Sequence, residues 1–70
     1  MTIRTGTTVA WTWGGHRAQG KVVELHHETV RRTLGGSEIT RHGSDDDPAL
    51  VIQQEDGALV LKLRSEVERA

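Results

Sequence analysis

TTVAWTW (residues 7–13) and ALVLKLR (residues 58–64) change character at every second position, and this period of two limits more than anything else how the chain can fold. A strand turns successive side chains to opposite faces, whereas a helix repeats about every 3.6 residues. Val9, Trp11 and Trp13 therefore gather on one side of an extended segment, and Leu59, Leu61 and Leu63 on one side of another. The first stretch reads as strand one. Gly14-Gly15 ends it, His16 and Arg17 sit in the turn, and AQGKVVELHH forms strand two over about 18–27, with Gly20 a bulge or a close backbone approach.

ETVRRTL, residues 28–34, has a charge pattern that suits a helix. Thr29, Val30 and Thr33 are β-branched, however, and Gly35-Gly36 stops the run at once, so the reading is a short strand or an irregular arm. SEITRHG follows as another extended piece. GSDDDP, residues 43–48, is the strongest turn signal, and Pro48 lacks an amide hydrogen, so the next strand begins after it. ALVIQQE starts apolar on both faces, as a central strand covered on two sides should. Asp56-Gly57 predicts a two-residue hairpin turn into ALVLKLR, whose three leucines face inward. Ser65 caps a last turn in SEVERA, with Val67 its apolar anchor. The sum is an all-β chain of about five short antiparallel strands, rolled into a small SH3-like barrel whose single core joins both indoles to the three late leucines.

Seventy residues make one domain, 1–70, near the lower size limit for a self-sufficient core. Only 34% of them are hydrophobic, which keeps self-association, including a homodimer, in view. The absence of cysteine removes disulfides and thiol chemistry and suits a reducing cytoplasm. MTIRTGTTVAW has no apolar run of a signal peptide, and no window suits a membrane span. The net charge of -1 gives no overall pull towards nucleic acid or an anionic membrane.

Gly6, Val9 and Trp11 in GTTVAW, the glycine-led GKVVELH, and Ser44, Asp47 and Pro48 in the turn before an extended strand resemble the hypervirulence-associated Tudor-like domain family over about residues 5–68. That resemblance implies an SH3-like or Tudor-like barrel with an ordered core over the same span. The family name suggests ligand reading by an aromatic cage, and here the chain departs from it. A cage needs several aromatic faces around a cation, and this chain has two aromatic residues, both on one strand.

The site expectations follow from the loops. Trp11 reads first as core, whereas Trp13 beside the glycine turn could offer a flat face to a partner. Asp45 and Asp46 either satisfy turn amides or rim a groove for a basic peptide; no EF-hand pattern fits, since Ala49 and Leu50 stand where an oxygen ligand and a glycine belong. Arg31, Arg32 and Arg41, with His42 nearby, are a candidate phosphate-binding patch diluted by Glu28 and Glu38. His16, His26, His27 and His42 lack zinc-site spacing, and no phosphate loop, nucleophile elbow or paired catalytic carboxylate occurs. The expectation is a non-enzymatic interaction module without metal or cofactor. It would bind a protein, a peptide or a second copy of itself through Trp11, Trp13, Arg41, His42, Asp45 and Asp46, on one surface near the first turn and the GSDDDP loop. The alternative is an RNA- or DNA-binding module using the arginine patch and an exposed tryptophan.

Overall fold

In a computed structural model, which describes residues 3–70, the period-two segments are strands throughout, seven in two antiparallel sheets. Met1 and Thr2, the start of the domain expected over 1–70, lie outside the described residues. Strand β1 (Thr8–Trp13) turns at Gly14-Gly15 into β2 (His16–His26). Both glycines have positive φ, 53° and 80°, which matches the right-handed twist of the hairpin and lets Trp13 pair directly with His16. His16 and Arg17 thus belong to the strand, not to the turn as expected.

A hairpin follows, β3 (Thr29–Leu34) and β4 (Ser37–His42), so the 28–34 region is strand for most of its length. β5 (Ala49–Gln54) starts immediately after Pro48, as the missing amide hydrogen requires, and leads to β6 (Leu59–Leu63). The link between them is not a two-residue turn. Gln54 N donates to Ala58 O (2.8 Å) and Gly57 N to Gln54 O (2.9 Å), leaving a three-residue loop, and Asp56 Oδ1 accepts the Ala58 amide at 2.9 Å. A 3₁₀ turn (Arg64–Glu66) then delivers the two-residue β7 (Glu68–Arg69).

The main sheet has the order β6-β5-β2-β1-β7, and β3 and β4 pair only with each other. Four of the expected strands are β1, β2, β5 and β6 of the main sheet, and the extended pieces between Glu28 and Gly43 form the separate hairpin; β7, where a capped turn was expected, is the addition. The last strand returns beside the first, the arrangement of a small SH3-like barrel.

β5 lies between β6 and β2, with Ala49, Leu50, Val51 and Ile52 fully buried, so each face of the sheet carries its own apolar cluster. One cluster contains Val9, Trp11, Val22, Leu50 and Ile52, closed over by Ile3 and Val67. The other contains Ala49, Val51 and Leu61 with Val30 of the hairpin, edged by Val23, Leu34, Ile39 and Leu63. This corrects the expectation of one core joining the indoles to the leucines. Leu61 pairs with Val51 and faces the hairpin; Trp11 packs on the opposite side with Ile52. Leu59, near the loop, is 38% exposed, and Trp13 is 62% exposed.

Gly20 proves to be a close approach: a Cβ there would meet Gln53 O at 2.6 Å. The bulge falls three positions later. Val22 pairs with Ile52 and Glu24 with Val51, so Val23 is the extra residue. By simple alternation Glu24 would share the face of Val22; the bulge turns it to the face of Val51, beneath the hairpin.

Candidate functional site

The GSDDDP loop is held by hydrogen bonds to Arg64 and Ser65 and within itself. Asp47 Oδ1 accepts the Ser65 amide and Oδ2 the Ser65 hydroxyl, both at 2.7 Å. Ser44 Oγ accepts the Asp47 amide at 3.1 Å, and the Arg64 amide donates to Pro48 O at 2.8 Å. At the loop's entry, a Cβ on Gly43 would lie 2.7 Å from both His26 O and Glu28 O, so only glycine lets the chain pass there. Asp47 is therefore a structural residue. Asp45 and Asp46, between the two anchors, are exposed and make no hydrogen bond or ion pair among the described residues.

These two carboxylates rim a groove of about 390 Å³. Its apolar surface comes from Ile3, Leu25 and Pro48, and Arg4, His27 and Arg64 complete the rim. Ile3 and Pro48 are buried in place, Leu25 packs on the first cluster, and His27 Nδ1 lies 3.3 Å from Ser44 O. A groove of this size, largely preformed and mostly apolar with a few charged groups at its edge, has the general form of a small-ligand or peptide site. Sequence reading singled out Asp45, Asp46 and Pro48 but missed Ile3, Arg4, Leu25 and Arg64. Their only sequence signal is that Ile3 and Leu25 are isolated apolar residues beside charged ones.

The remaining expected site residues do not join them. Trp11 is 5% exposed and belongs to the core. Trp13 stands against His16 with ring centroids 6.3 Å apart and a 55° tilt. His16 and His26 are the two ends of β2, and Ala49, next to the GSDDDP loop, pairs with His26. The first turn and that loop thus lie at opposite ends of the molecule, roughly 30 Å apart along an extended strand, not on one surface.

The three hairpin arginines are also divided. Arg41 lies directly across from Val30 and shares its inward face with Arg32, while Arg31 points outward. Each has a carboxylate nearby. Arg31 Nε is 3.9 Å from Glu38, and Arg41 Nε donates to Glu66 Oε1 at 3.0 Å. Arg32 grips Glu24 with both terminal nitrogens, at 2.5 and 3.2 Å. His42 is exposed, its Nδ1 3.2 Å from Thr29 Oγ1.

The bulge at Val23 makes the Glu24–Arg32 pair possible, and His26 extends it, with Nε2 2.9 Å from Glu24 Oε1 and Nδ1 3.3 Å from Glu28 Oε1. The hydrogen bonds from Arg32, then from His26, hold the Glu24 carboxyl at about 2, below its ordinary value of 4.5. At Glu66 burial pushes the carboxyl up, but the Leu63 amide and Arg41 outweigh it and the pKa is lowered. These pairs lock the hairpin to the sheet and the 3₁₀ turn, and leave no open cationic patch on its inner face.

No helix among the described residues is long and apolar enough to cross a membrane. The profile of a family described as the TUDOR domain of hypervirulence associated proteins matches residues 6–67. No curated protein and no solved structure matches the chain.

Proposed function

The chain belongs to the family of TUDOR domains of hypervirulence associated proteins, and from that premise we propose that it is a non-catalytic module that binds an extended peptide of a partner protein. Tudor-like domains are small interaction modules, typically without catalysis. The observation that carries the reading is the groove at the His26 end of β2, where an apolar surface of Ile3, Leu25 and Pro48 meets two carboxylates that nothing in the fold consumes. An exposed loop fastened at Asp47 keeps Asp45 and Asp46 in place before a partner arrives, so little ordering entropy is lost on binding. The expected ligand places an apolar side chain in the groove and a Lys or Arg at the aspartates.

The test is a titration of isotope-labelled protein with a library of extended peptides of about eight residues carrying a lysine beside a leucine. Binding should shift the amides of Leu25, Asp45 and Asp46, and Leu25→Glu should remove it while the fold persists. Shifts confined to the Trp13–His16 tip, or no binding by any member, would sink the groove reading.

A nucleic-acid partner is the weaker reading because Arg31, Arg32 and Arg41 each already face a glutamate. Contact with phosphates weakens steeply as salt rises, so titrations with single-stranded RNA and duplex DNA at two salt concentrations separate it from peptide binding.

A further inference from the structure

We infer that the peptide site continues past the groove into the neighbouring cavity, and that the whole strip reads a charge order: a basic side chain at Asp45 and Asp46, an apolar one in the middle, and an acidic one at Arg4. This rests on the groove being the binding surface and adds what lies at its far end.

The second cavity, of about 810 Å³, is lined by Arg4, Thr5, Gly6, Thr7, Thr8 and Arg69 together with the last residue. Arg4 lines both cavities, so they adjoin. The segment that carries it is pinned to β2 by its backbone. Gly6 N donates to Val22 O (2.7 Å), Val22 N to Thr7 O (2.9 Å) and Thr7 N to Arg4 O (3.0 Å). The Arg4 amide in turn donates to Thr7 Oγ1 at 3.2 Å. The main chain at Arg4 is thus fixed, while its exposed guanidinium makes no hydrogen bond or ion pair among the described residues.

Arg4 and the two aspartates border one groove and carry opposite charge, yet they do not pair with each other. Three other arginines of the chain do pair closely, at Arg17–Glu68 (2.6 Å), Arg32–Glu24 (2.5 Å) and Arg41–Glu66 (3.0 Å). Opposite charges that line one apolar groove without pairing complement a ligand that itself carries charges of both signs. The exposed hydroxyls of Thr5 and Thr8 beside Arg4 supply hydrogen-bond donors for a carboxylate.

The experiment is a double-mutant cycle by fluorescence anisotropy. The probes are labelled peptides of about eight residues with a lysine, a central leucine and a glutamate at varied spacing, each with its Glu→Gln and Lys→Gln analogues. With the unaltered protein, peptide Glu→Gln should weaken binding about two- to five-fold, the size of a partly exposed ion pair. In Arg4→Gln that difference should vanish while the lysine effect persists; in the double variant Asp45→Asn with Asp46→Asn the reverse should hold. A glutamate effect of equal size in Arg4→Gln would overturn the charge order, as would binding indifferent to the peptide's glutamate. Both of those outcomes leave the groove itself standing. Failure of every peptide to bind sinks the groove reading and this inference together.

Discussion

The main sheet and the β3–β4 hairpin are made of similar β-branched sequence but are held in different ways. Every neighbour in the sheet is joined by a backbone ladder, and its interior strand β5 is buried on both faces. The hairpin shares no ladder with the sheet. It is attached by one small apolar cluster and by two arginine–glutamate pairs, Arg32–Glu24 and Arg41–Glu66. Backbone ladders and deep burial tolerate changes of pH and salt; side-chain pairs at partly exposed sites do not. The hairpin should therefore be the part of the molecule that opens first.

The largest expected effect tests the sheet. Leu50 is fully buried in β5, and Leu50→Ala should cost about 2–5 kcal/mol through lost burial and the cavity left behind. In a domain of this size that should unfold much of the population, and amide protection should fall in the sheet and hairpin together, as measured by hydrogen exchange. Val30→Ala should cost less, about 1–2 kcal/mol, because Val30 sits in the smaller cluster at 7% exposure. Protection should then fall in residues 29–42 and hold in β2 and β5. Equal loss in both regions would show that the hairpin and sheet are one cooperative unit.

Acid sharpens the same contrast. Glu24 titrates at about 2 in the folded chain against an ordinary 4.5, so its stabilising effect is complete above about 4.5 and is lost as pH falls towards 2. Glu66 is shifted in the same direction. Both carboxylates clamp the hairpin, so its protection factors should drop across that window ahead of those of β5. Glu24 is 40% exposed in its side chain, and solvent screening keeps the effect below about 1 kcal/mol. In Glu24→Gln the Glu24 part of that pH dependence should disappear; a profile unchanged from the parent protein would remove Glu24 from the account.

How far the sequence revealed this arrangement depends on how local each cause is. Ala49 to Ile52 announce a strand covered on both sides, Gly14-Gly15 and Gly35-Gly36 announce tight turns, and Pro48 marks where β5 starts, because each effect is fixed within a few residues. The bulge at Val23 has no such local signature, and without it Glu24 is assigned to the wrong face and its pairing with Arg32 is invisible. The three aspartates look alike in sequence. Only the position of Ser65, eighteen residues away, separates structural Asp47 from the two that remain open. The groove needs Ile3, Leu25 and Pro48 from three distant segments, which no short window contains. Alternation likewise places three leucines on one face of β6 but cannot say that cover ends before Leu59.

The smallest expected effect is at Trp13, which shares a strand and a face with Trp11 but not an environment. Trp11 is packed among Val9, Val22 and Val67, whereas Trp13 ends β1 beside the glycine turn, its ring set against that of His16. Trp11→Ala removes a packed core side chain and should cost about as much as Leu50→Ala. Trp13→Ala should stay within about 0.5 kcal/mol of the parent protein, because little of its surface is removed from water by folding. Fluorescence separates the two without relying on stability. The parent protein should show an acrylamide-quenchable component that vanishes in Trp13→Ala, leaving the shielded emission of Trp11. If Trp13→Ala instead destabilises the fold by more than about 1 kcal/mol, or the remaining indole is readily quenched, the hairpin tip is part of the core.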